Sequence, residues 1–396
     1  MSESNAGVAE ISAVQLWQRL YHQAPAGKWF ILDVRNEEEA KGWRVEGPAA
    51  VPFVHVSYFS FIDDPDQALA QVPSDLGEAV VVCAKGGSSE FVAGLMRDAG
   101  RPALNLTGGM VEWGDFHVPL RISAESEPFE LWQFNRFGKG CLSYAVIAGG
   151  QAAIVDPSRF PALYEDFAKA RGAKIVEVLE THVHADHLSG GSQLAMRNGA
   201  RYRVLAENGK LPNAGSPVEG GAEIRLGGKE GTRIVAQALR TPGHTPESTS
   251  YRVGERYLLS GDTLFVKGVG RPDLGGHVEE WGRALHSTLR HVIAPLPDGL
   301  QILPAHFASH EESQASGAVL GTLGSLRATS PELAINDAEE FVQAMKAGVK
   351  EPPAIYAEIV RANLGLVDPG EKAGEWELGK NECAATAAKR RAAAAA

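Results

Sequence analysis

The pattern of apolar and polar positions divides the chain into two regions of different texture. In the first region, apolar runs at 29–34 and 79–84 predict buried strands, and amphipathic segments at 11–23 and 88–100 predict helices. Ser89 is the expected N-cap of the second of these helices. Strands that alternate with helices in this way indicate an α/β layer with a parallel sheet.

The second region begins after a polar, proline-containing stretch at 121–130, which predicts a domain boundary. Short β-like runs dominate from Phe129 onward, and the pattern becomes helical after His306. The alanine-rich end of the chain is low in complexity and predicts a flexible tail. We therefore expect an α/β domain at 1–120, a linker at 121–128, a mixed domain at 129–310, a helical extension at 311–370 and a tail at 371–396.

Composition and charge narrow the function classes. A net charge of −11 argues against a nucleic-acid backbone as partner, and no apolar run approaches the roughly 20 residues of a membrane helix. The three widely spaced cysteines are no disulfide framework and indicate a reducing compartment. With no signal-peptide pattern at the N-terminus, we expect a cytoplasmic protein.

The segment THVHADH, residues 181–187, concentrates metal-ligand side chains directly after a predicted strand. His182 and His184 are two residues apart, and in a helix they would diverge by about 200°. On a loop that leaves a strand they can converge on one ion. A lone histidine is usually structural, but this spacing and three further ligand-type residues at strand ends indicate a metal site for zinc or ferrous iron. The candidate ligands are His182, His184, Asp186, His187, His244, Asp262 and His306.

Together, THVHADH, TPGHT, GDT and PAH resemble the metallo-β-lactamase superfamily over about residues 129–310. The resemblance implies an αβ/βα sandwich, in which two mixed sheets face each other with helices outside. It also implies two ways of filling the site. In dinuclear zinc hydrolases one ion takes the positions of His182, His184 and His244. The other takes those of Asp186, His187 and His306, and Asp262 bridges the two ions.

In persulfide dioxygenases of the same superfamily, a single ferrous iron takes the positions of His182, His244 and Asp262. All seven ligand residues are present here, so the ligands alone do not decide between the two patterns. The sequence context favours iron, because Arg271 follows Asp262 at the dioxygenase spacing and would hold a substrate carboxylate. The alternative for Arg271 is a structural pair with Asp273. A tyrosine found in some dioxygenases after the last histidine is replaced by Phe307.

Cys83 lies between a predicted strand and a glycine-rich loop that runs into a helix. Backbone amides and a helix N-terminus favour a thiolate and would cradle an attached anion. The alternative is a small buried hydrophobe. The residues expected to surround the sulfur or its ligand are Lys85, Gly86, Gly87 and Ser88.

This loop, together with LDVRNEEEA at 32–40 and LNLTGGMVEW at 104–113, resembles the motifs of a rhodanese domain. The resemblance covers about residues 10–120. The resemblance implies sulfur transfer through Cys83. Lys85 is the only cation of the loop, so whether thiosulfate is the sulfur donor stays open.

The combined hypothesis is a persulfide dioxygenase with one Fe²⁺ per chain and an N-terminal rhodanese module. Its substrates would be O₂ and glutathione persulfide or a similar small persulfide, and its products sulfite and a thiol. The alternative is a hydrolase of glutathione thioesters with two Zn²⁺ and a passenger or docking rhodanese domain. The pattern leaves open a homo-oligomer and the direction of sulfur transfer. It also leaves open what the C-terminal helices cover and the role of Cys383, which we expect to lie in the tail.

Overall fold

In a computed structural model of the chain, the structure describes residues 9–22, 28–48, 50–204, 219–227, 234–347 and 351–383. The described residues form two compact units. The first comprises those within 1–118, 136–139 and 378–380, and the second comprises the other described residues. In the described part of the chain, no helix has both the length and the apolar character needed to cross a membrane.

The first unit is built on a five-stranded parallel sheet in the order β1-β5-β4-β2-β3. The strands β2 and β4 are buried along almost their whole length, because helices cover a parallel sheet on both faces. The strands are β1 Glu10–Ile11, β2 Trp29–Asp33, β3 Phe53–His55, β4 Glu78–Val82 and β5 Ala103–Leu106. The helices are α1 Ala13–Tyr21, α2 Glu37–Gly42, α3 Tyr58–Asp63, α4 Pro65–Gln71, α5 Gly87–Asp98 and α6 Gly109–Asp115.

The helix α5 begins earlier than the sequence predicts. Its N-cap is Gly86, which has a left-handed φ of 95°, so Ser89 lies inside the first turn instead of capping the helix. Glycine adopts this backbone conformation without the steric cost of a Cβ atom. The hydroxyl of Ser89 is therefore available to the loop that carries Cys83.

The second unit contains two six-stranded mixed sheets, ordered β11-β10-β9-β8-β7-β6 and β12-β13-β14-β15-β18-β19, and a small pair β16-β17. The strands of the first sheet are β6 Val118–Arg121, β7 Glu130–Arg136, β8 Cys141–Ala148, β9 Gln151–Val155, β10 Lys174–Leu179 and β11 Arg201–Arg203. The other strands are β12 Glu223–Leu226, β13 Ile234–Arg240, β14 Thr249–Val253, β15 Tyr257–Gly261, β16 Leu264–Phe265, β17 Gly268–Val269, β18 Gln301–Pro304 and β19 Gly321–Thr322.

Helices pack on the outer face of each sheet and enclose separate apolar cores. Side chains of α7 and α8 pack with the first sheet, and side chains of α9, α10 and α11 pack with the second. Tyrosine hydroxyls join the sheets to each other: Tyr144 donates to the Pro304 carbonyl at 2.5 Å, and Tyr251 donates to the Glu180 carbonyl at 2.9 Å. The helices are α7 Pro161–Ala170, α8 Gly191–Asn198, α9 Val278–Thr288, α10 Leu323–Thr329, α11 Ala338–Lys346, α12 Ile355–Asn363 and α13 Ala373–Trp376.

This architecture places the ends of several strands at one edge of the sandwich. The strands β10, β13, β15 and β18 are each followed by a loop that carries one or more of the candidate ligands. Neighbouring strands hold those loops together, since β13, β14, β15 and β18 are consecutive members of one sheet. The ligand positions are thus a consequence of strand order.

Candidate metal centre and sulfurtransfer site

Three of the predicted ligands form a compact, buried group. The ligand atoms of His182, His244 and Asp262 all lie within 4.8 Å of one another. The Nε2 atom of His244 is 3.4 Å from Asp262 Oδ2, and the Nε2 atom of His182 is 3.9 Å from the same oxygen. This oxygen is buried and makes no hydrogen bond with any described residue. Buried polar atoms are rarely left unpaired, so the geometry fits an ion at this position.

The hydrogen bonds behind these histidines present their Nε2 atoms to the ion. His244 Nδ1 lies 2.8 Å from the Arg271 carbonyl, which can only accept, so Nδ1 carries the proton. The Thr181 hydroxyl donates to Asp156 Oδ2 at 2.8 Å and can therefore accept from His182 Nδ1 at 3.0 Å. In both rings the Nε2 lone pair is left to bind a metal, as is typical of histidine ligands with an outer hydrogen-bond partner.

The charge states also suit metal binding. Burial, together with the neighbouring histidines, holds the pKa of His182 well below its usual value, so the ring is neutral. Burial alone would raise the pKa of Asp262, but His306 and His244 outweigh it and hold that pKa below its usual value. A neutral imidazole and an ionised carboxylate are the forms that coordinate a cation.

A second group of candidate ligands lies beside the first, and its member His306 also contacts Asp262 of the first group. The ligand atoms of Asp186, His187 and His306, with the thiol of Cys141, are all within 4.8 Å of one another. His306 Nε2 is 2.9 Å from Asp186 Oδ2, and His306 Nδ1 is 2.6 Å from Asp262 Oδ1. Cys141 was not among the candidate ligands from sequence, because a cysteine in a predicted strand is usually a core residue.

His184 belongs to neither of these groups. Its Nε2 atom lies 3.2 Å from Asp156 Oδ1 and 3.7 Å from Glu180 Oε2, and these three residues form a buried group of their own. Asp156 follows β9 with a left-handed φ of 52° and also accepts a hydrogen bond from the Thr181 amide at 2.7 Å. Asp156 and Glu180 were not among the candidates from sequence, although each stands immediately after an observed strand, β9 or β10.

The C-terminal extension holds the ligand loop in place. Asn363, at the end of α12, donates to the His184 carbonyl at 2.8 Å and to the His187 carbonyl at 2.9 Å. Its side-chain oxygen accepts from the Ser189 amide at 2.9 Å, and Glu377 Oε1 accepts from the Leu188 amide at 2.7 Å. The sequence left open what the helical extension covers, and these contacts show that it fixes the backbone of the THVHADH loop.

We expect Asn363→Ala to loosen this loop and lower the affinity for the first metal by about 10-fold, which is the lower range for losing an outer partner of a metal site. The variant removes three partly buried hydrogen bonds, so that the carbonyls of His184 and His187 and the amide of Ser189 lose this partner. Iron titration under anaerobic conditions measures the change. Asn336→Ala, which removes an exposed contact with Arg290, is the matched control and should bind iron like the unmodified protein.

The residues 371–383 are not the flexible tail that we expected. Asn381 donates to the Gly140 carbonyl at 3.0 Å and to the Phe307 carbonyl at 3.1 Å. Cys383 is buried, and its sulfur is grouped with the ligand atoms of Asp262 and His306. The low-complexity composition of this segment gave no indication of these hydrogen bonds. The rest of the predicted tail, 384–396, lies outside the described residues.

Arg271 lies near the first group, but it is paired with a protein carboxylate. Its Nε and Nη2 atoms donate to the two oxygens of Asp273 at 2.9 and 2.6 Å. This is the structural pair that the sequence left as an alternative. The backbone carbonyl of Arg271 fixes the His244 ring, and the expected role of its side chain as a substrate contact stays a prediction.

In the first unit, Cys83 follows β4 and its sulfur lies in a cradle of donors. The Gly86 amide and the Ser89 hydroxyl are each 3.1 Å from Cys83 Sγ. The Ser89 hydroxyl is also 2.7 Å from Asn105 Oδ1, so its single proton is shared between alternative acceptors. Lys85 is exposed and Ser88 is partly exposed beside the loop. This arrangement can bind a sulfur anion through a backbone amide and a hydroxyl.

The glycine-containing segment after β5 is hydrogen-bonded to the loop that carries Cys83. The amides of Met110 and Val111 donate to the carbonyls of Cys83 and Ala84 at 2.8 and 3.0 Å. Gly109 has a φ of 60°, and a Cβ atom there would lie 2.4 Å from the Cys83 carbonyl oxygen. A side chain at Gly109 therefore cannot be accommodated without moving the cysteine loop.

We expect Gly109→Ala to reduce sulfur transfer by at least about 10-fold, because the loop must shift and loses its donor geometry. Gly100→Ala is the matched control, since Gly100 has a comparable φ of 74° but nothing within 4 Å of an added Cβ. Both variants carry the strain of a left-handed alanine, about 1 kcal/mol. Sulfur transfer to cyanide measures the difference, and equal loss in both variants would contradict the prediction.

Comparison with known proteins agrees with the two units. Residues 136–320 match the family model of the metallo-β-lactamase superfamily, and residues 12–115 match that of the rhodanese-like domain. A hydroxyacylglutathione hydrolase of Acidiphilium cryptum is 34% identical over 210 residues, which are 50% of this chain and 82% of that protein. The mitochondrial persulfide dioxygenase ETHE1 of Bos taurus is 27% identical over 224 residues, 55% of this chain and 81% of that protein.

A solved metallo-β-lactamase structure from Staphylococcus aureus superposes with a TM-score of 0.53 at 28% identity, covering 61% of this chain and 73% of that one. Fold, ligand positions and relatives therefore define a metal-dependent enzyme class. The chain belongs to the metallo-β-lactamase superfamily and carries an N-terminal rhodanese-like domain. The predicted fold class is confirmed. Relatives of both the hydrolase and the dioxygenase kind match the chain.

Proposed function

We propose that this protein is a persulfide dioxygenase that uses one ferrous iron per chain and carries a sulfurtransferase module. The substrates are O₂ and glutathione persulfide or a similar small persulfide. The balanced reaction is RSSH + O₂ + H₂O → RSH + SO₃²⁻ + 2H⁺, in which the terminal sulfur is oxidised and dioxygen is reduced.

The observation that carries the proposal is the grouping of His182, His244 and Asp262 without His184. Two histidines and one carboxylate on one face, with other positions open, are typical of non-haem iron oxygenases. The dinuclear pattern requires His184 on the same ion as His182 and His244. The ring of His184 lies 4.1 Å from that of His182, but its ligand atom is grouped with those of Asp156 and Glu180. Iron bound at this face would supply activation of O₂, and the chain's own residues would hold the histidines in the tautomers described above.

The cradle around Cys83 supports the second half of the proposal. A sulfur carried on Cys83 would be stabilised by the Gly86 amide and the Ser89 hydroxyl. Cys83 would either pass sulfane sulfur to a thiol acceptor or transfer it to sulfite, which gives thiosulfate. In both cases the outer sulfur moves to the acceptor, the S–S bond breaks and Cys83 leaves as a thiolate.

The alternative function is hydrolysis of glutathione thioesters by two zinc ions, with the rhodanese-like domain as a docking module. It is favoured by the second group around Asp186, His187 and His306, and by the similarity to hydroxyacylglutathione hydrolases. Water held between two zinc ions would be the nucleophile in that case.

Loading the metal-free protein anaerobically with Fe²⁺ or with Zn²⁺ separates the two functions. The iron form should consume one O₂ per glutathione persulfide and release sulfite, and the zinc form should consume none. If the iron form consumes no O₂ and the zinc form cleaves S-lactoylglutathione rapidly, the dioxygenase proposal is wrong and the hydrolase holds.

A further inference from the structure

We propose that the rhodanese-like unit has a docking surface beside Cys83 for a protein that accepts sulfur through a cysteine thiol. The surface is the apolar patch formed by Tyr58, Phe59, Ile62 and Phe91. The inference rests on the proposed sulfur transfer at Cys83 and names the class of its acceptor. That acceptor is a protein with positive charge around an apolar contact.

The apolar patch consists of large side chains that are exposed. Phe59 is 71% exposed, Ile62 49% and Phe91 43%. Tyr58 joins them, because its ring centroid lies 5.9 Å from that of Phe59 and 6.0 Å from that of Phe91. Ile62 lies one helical turn after Phe59 in α3, so it extends the same surface. Single exposed apolar residues are common, but neighbouring ones of this size mark a site of association.

The apolar patch lies next to the loop that carries Cys83. Phe91 follows Gly87 by four residues in α5, and helical side chains tilt towards the N-terminus of their helix. The Phe91 side chain therefore lies over the exposed turn that begins at Gly87. This turn directly follows Gly86, whose amide contacts Cys83 Sγ. On the other side of the patch, Tyr58 packs against the apolar core that includes Cys83.

The exposure of the loop shows how an acceptor reaches the sulfur. Cys83 is only 5% exposed, whereas Ala84, Lys85 and Gly87 are exposed. An acceptor must therefore approach over the surface of the loop, and a partner seated on the patch has its thiol at this entrance. Small molecules bind in concave pockets, but Phe59 projects into solvent. The patch therefore suits a protein surface better than a small thiol.

The charge around the apolar patch selects the partner. Four exposed carboxylates flank the patch, namely Asp63, Asp64, Asp66 and Glu90. A partner with Lys or Arg around its apolar contact is attracted to such a rim. The rim repels anionic lipid headgroups, and it also repels a second copy of this chain, which has a net charge of −11. Lys85, the cation of the Cys83 loop, attracts the thiolate of the acceptor.

Sulfur transfer at this surface needs no further reactant. The acceptor thiolate forms a bond with the outer sulfur carried on Cys83, and the S–S bond to Cys83 breaks. Cys83 leaves as a thiolate and the acceptor becomes a persulfide, so one S–S bond replaces another and nothing is oxidised overall. Docking on the patch holds the two sulfur atoms together and so raises the rate.

Two short synthetic peptides test the class of partner. Each has one cysteine between leucines, and its charged positions are lysine in one peptide and glutamate in the other. The unmodified protein is loaded with sulfur from glutathione persulfide in the absence of O₂, and mass spectrometry measures the gain of one sulfur by each peptide. Uncatalysed transfer from glutathione persulfide to each peptide corrects for the reactivity of its thiol.

At low salt we expect the corrected kcat/KM to be at least about 10-fold higher for the lysine peptide, because its charge complements the carboxylate rim. Added salt should reduce this difference, since it screens exposed charges.

Phe59→Ser and Phe91→Ser test the apolar patch itself. Each should lower kcat/KM for the lysine peptide by at least about 5-fold, as for central residues of an interface, and leave transfer to cyanide within about twofold. Val14→Ser is the matched control, because Val14 is 44% exposed on α1 and does not belong to the patch. It should change neither rate. The cyanide rate also shows that the Cys83 loop of each variant is intact.

Equal corrected rates for the two peptides, or an unchanged rate for the lysine peptide in both patch variants, would contradict the inference. A dimer that Phe59→Ser dissociates in analytical ultracentrifugation would also contradict it, because a second copy would then cover the patch. If a patch variant loses cyanide transfer as well, the peptide comparison on the unmodified protein decides.

The cyanide rate of the unmodified protein separates this inference from the proposed function. Without transfer to cyanide, the sulfurtransferase proposal is wrong and the inference fails with it. Normal transfer to cyanide with no preference between the peptides refutes the inference alone.

Discussion

Replacing Asp262 by asparagine should reduce persulfide-dependent oxygen uptake by more than about 100-fold. Substitutions of outer partners alone cost 10- to 100-fold at metal sites, and Asp262 is a direct ligand candidate. The two oxygens of Asp262 face different histidines: Oδ2 faces His244 and His182, and Oδ1 accepts from His306. An amide keeps the shape of the side chain but removes the negative charge that offsets the charge of the ion. It also places an NH₂ group where a ligand or an acceptor is needed.

The measurement combines iron content per chain with an oxygen-electrode trace in the presence of glutathione persulfide. Asp298→Asn is the matched control, because Asp298 is an exposed carboxylate whose ion pair with Arg327 is at the surface. It should keep both iron and activity. If Asp262→Asn retains iron and oxygen uptake near the level of the unmodified protein, Asp262 is not a ligand of the catalytic metal.

The ligand residues could be predicted from sequence because strand ends bring them together. His182, His244, Asp262 and His306 each follow a recognisable apolar run, and sheet order places such ends at one edge. The loop spacing of THVHADH then requires a non-helical backbone. Apolar runs and ligand spacing are local features, so a single sequence is enough to predict the ligands from them.

The residues that surround the ligands could not be predicted in this way. Cys141 looks like a small apolar residue of a buried strand, and its proximity to His306 depends on pairing between segments more than 160 positions apart in the chain. Asn363 reaches the site from the predicted helical extension, and Cys383 reaches it from the segment that was expected to be a flexible tail. Such long-range contacts leave no periodic trace in the sequence.

The rhodanese-like loop shows the same limit at short range. The strand, the cysteine and the following helix were all predicted, but the start of the helix was misplaced. Ser89 has the usual chemistry of an N-cap, whereas the left-handed backbone of Gly86 begins the helix three residues earlier. The consequence is functional, because the displaced hydroxyl faces Cys83 instead of the helix amides.

Replacing Cys83 by serine should abolish sulfur transfer, with a loss of at least about 1,000-fold, while oxygen uptake with glutathione persulfide stays within about twofold of the unmodified protein. A serine hydroxyl fits the cradle formed by Gly86 and Ser89 but is a far weaker nucleophile and cannot carry sulfane sulfur. The assay follows thiosulfate formation from glutathione persulfide and sulfite, and separately the release of labelled sulfur to a small thiol.

The substitution distinguishes the relay from the docking interpretation. If Cys83 relays sulfur, transfer is lost and sulfite accumulates, because the oxidation continues without its consumer. If the domain only docks a partner, transfer is unchanged in Cys83→Ser, and the relay proposal is wrong. Mass spectrometry after exposure to persulfide gives an independent readout, since only the unmodified protein should gain one sulfur on the peptide that contains Cys83. Two donors already lie 3.1 Å from Cys83 Sγ, so the loop need not rearrange to bind a sulfur anion. The loss expected in Cys83→Ser is therefore the loss of the sulfur atom itself.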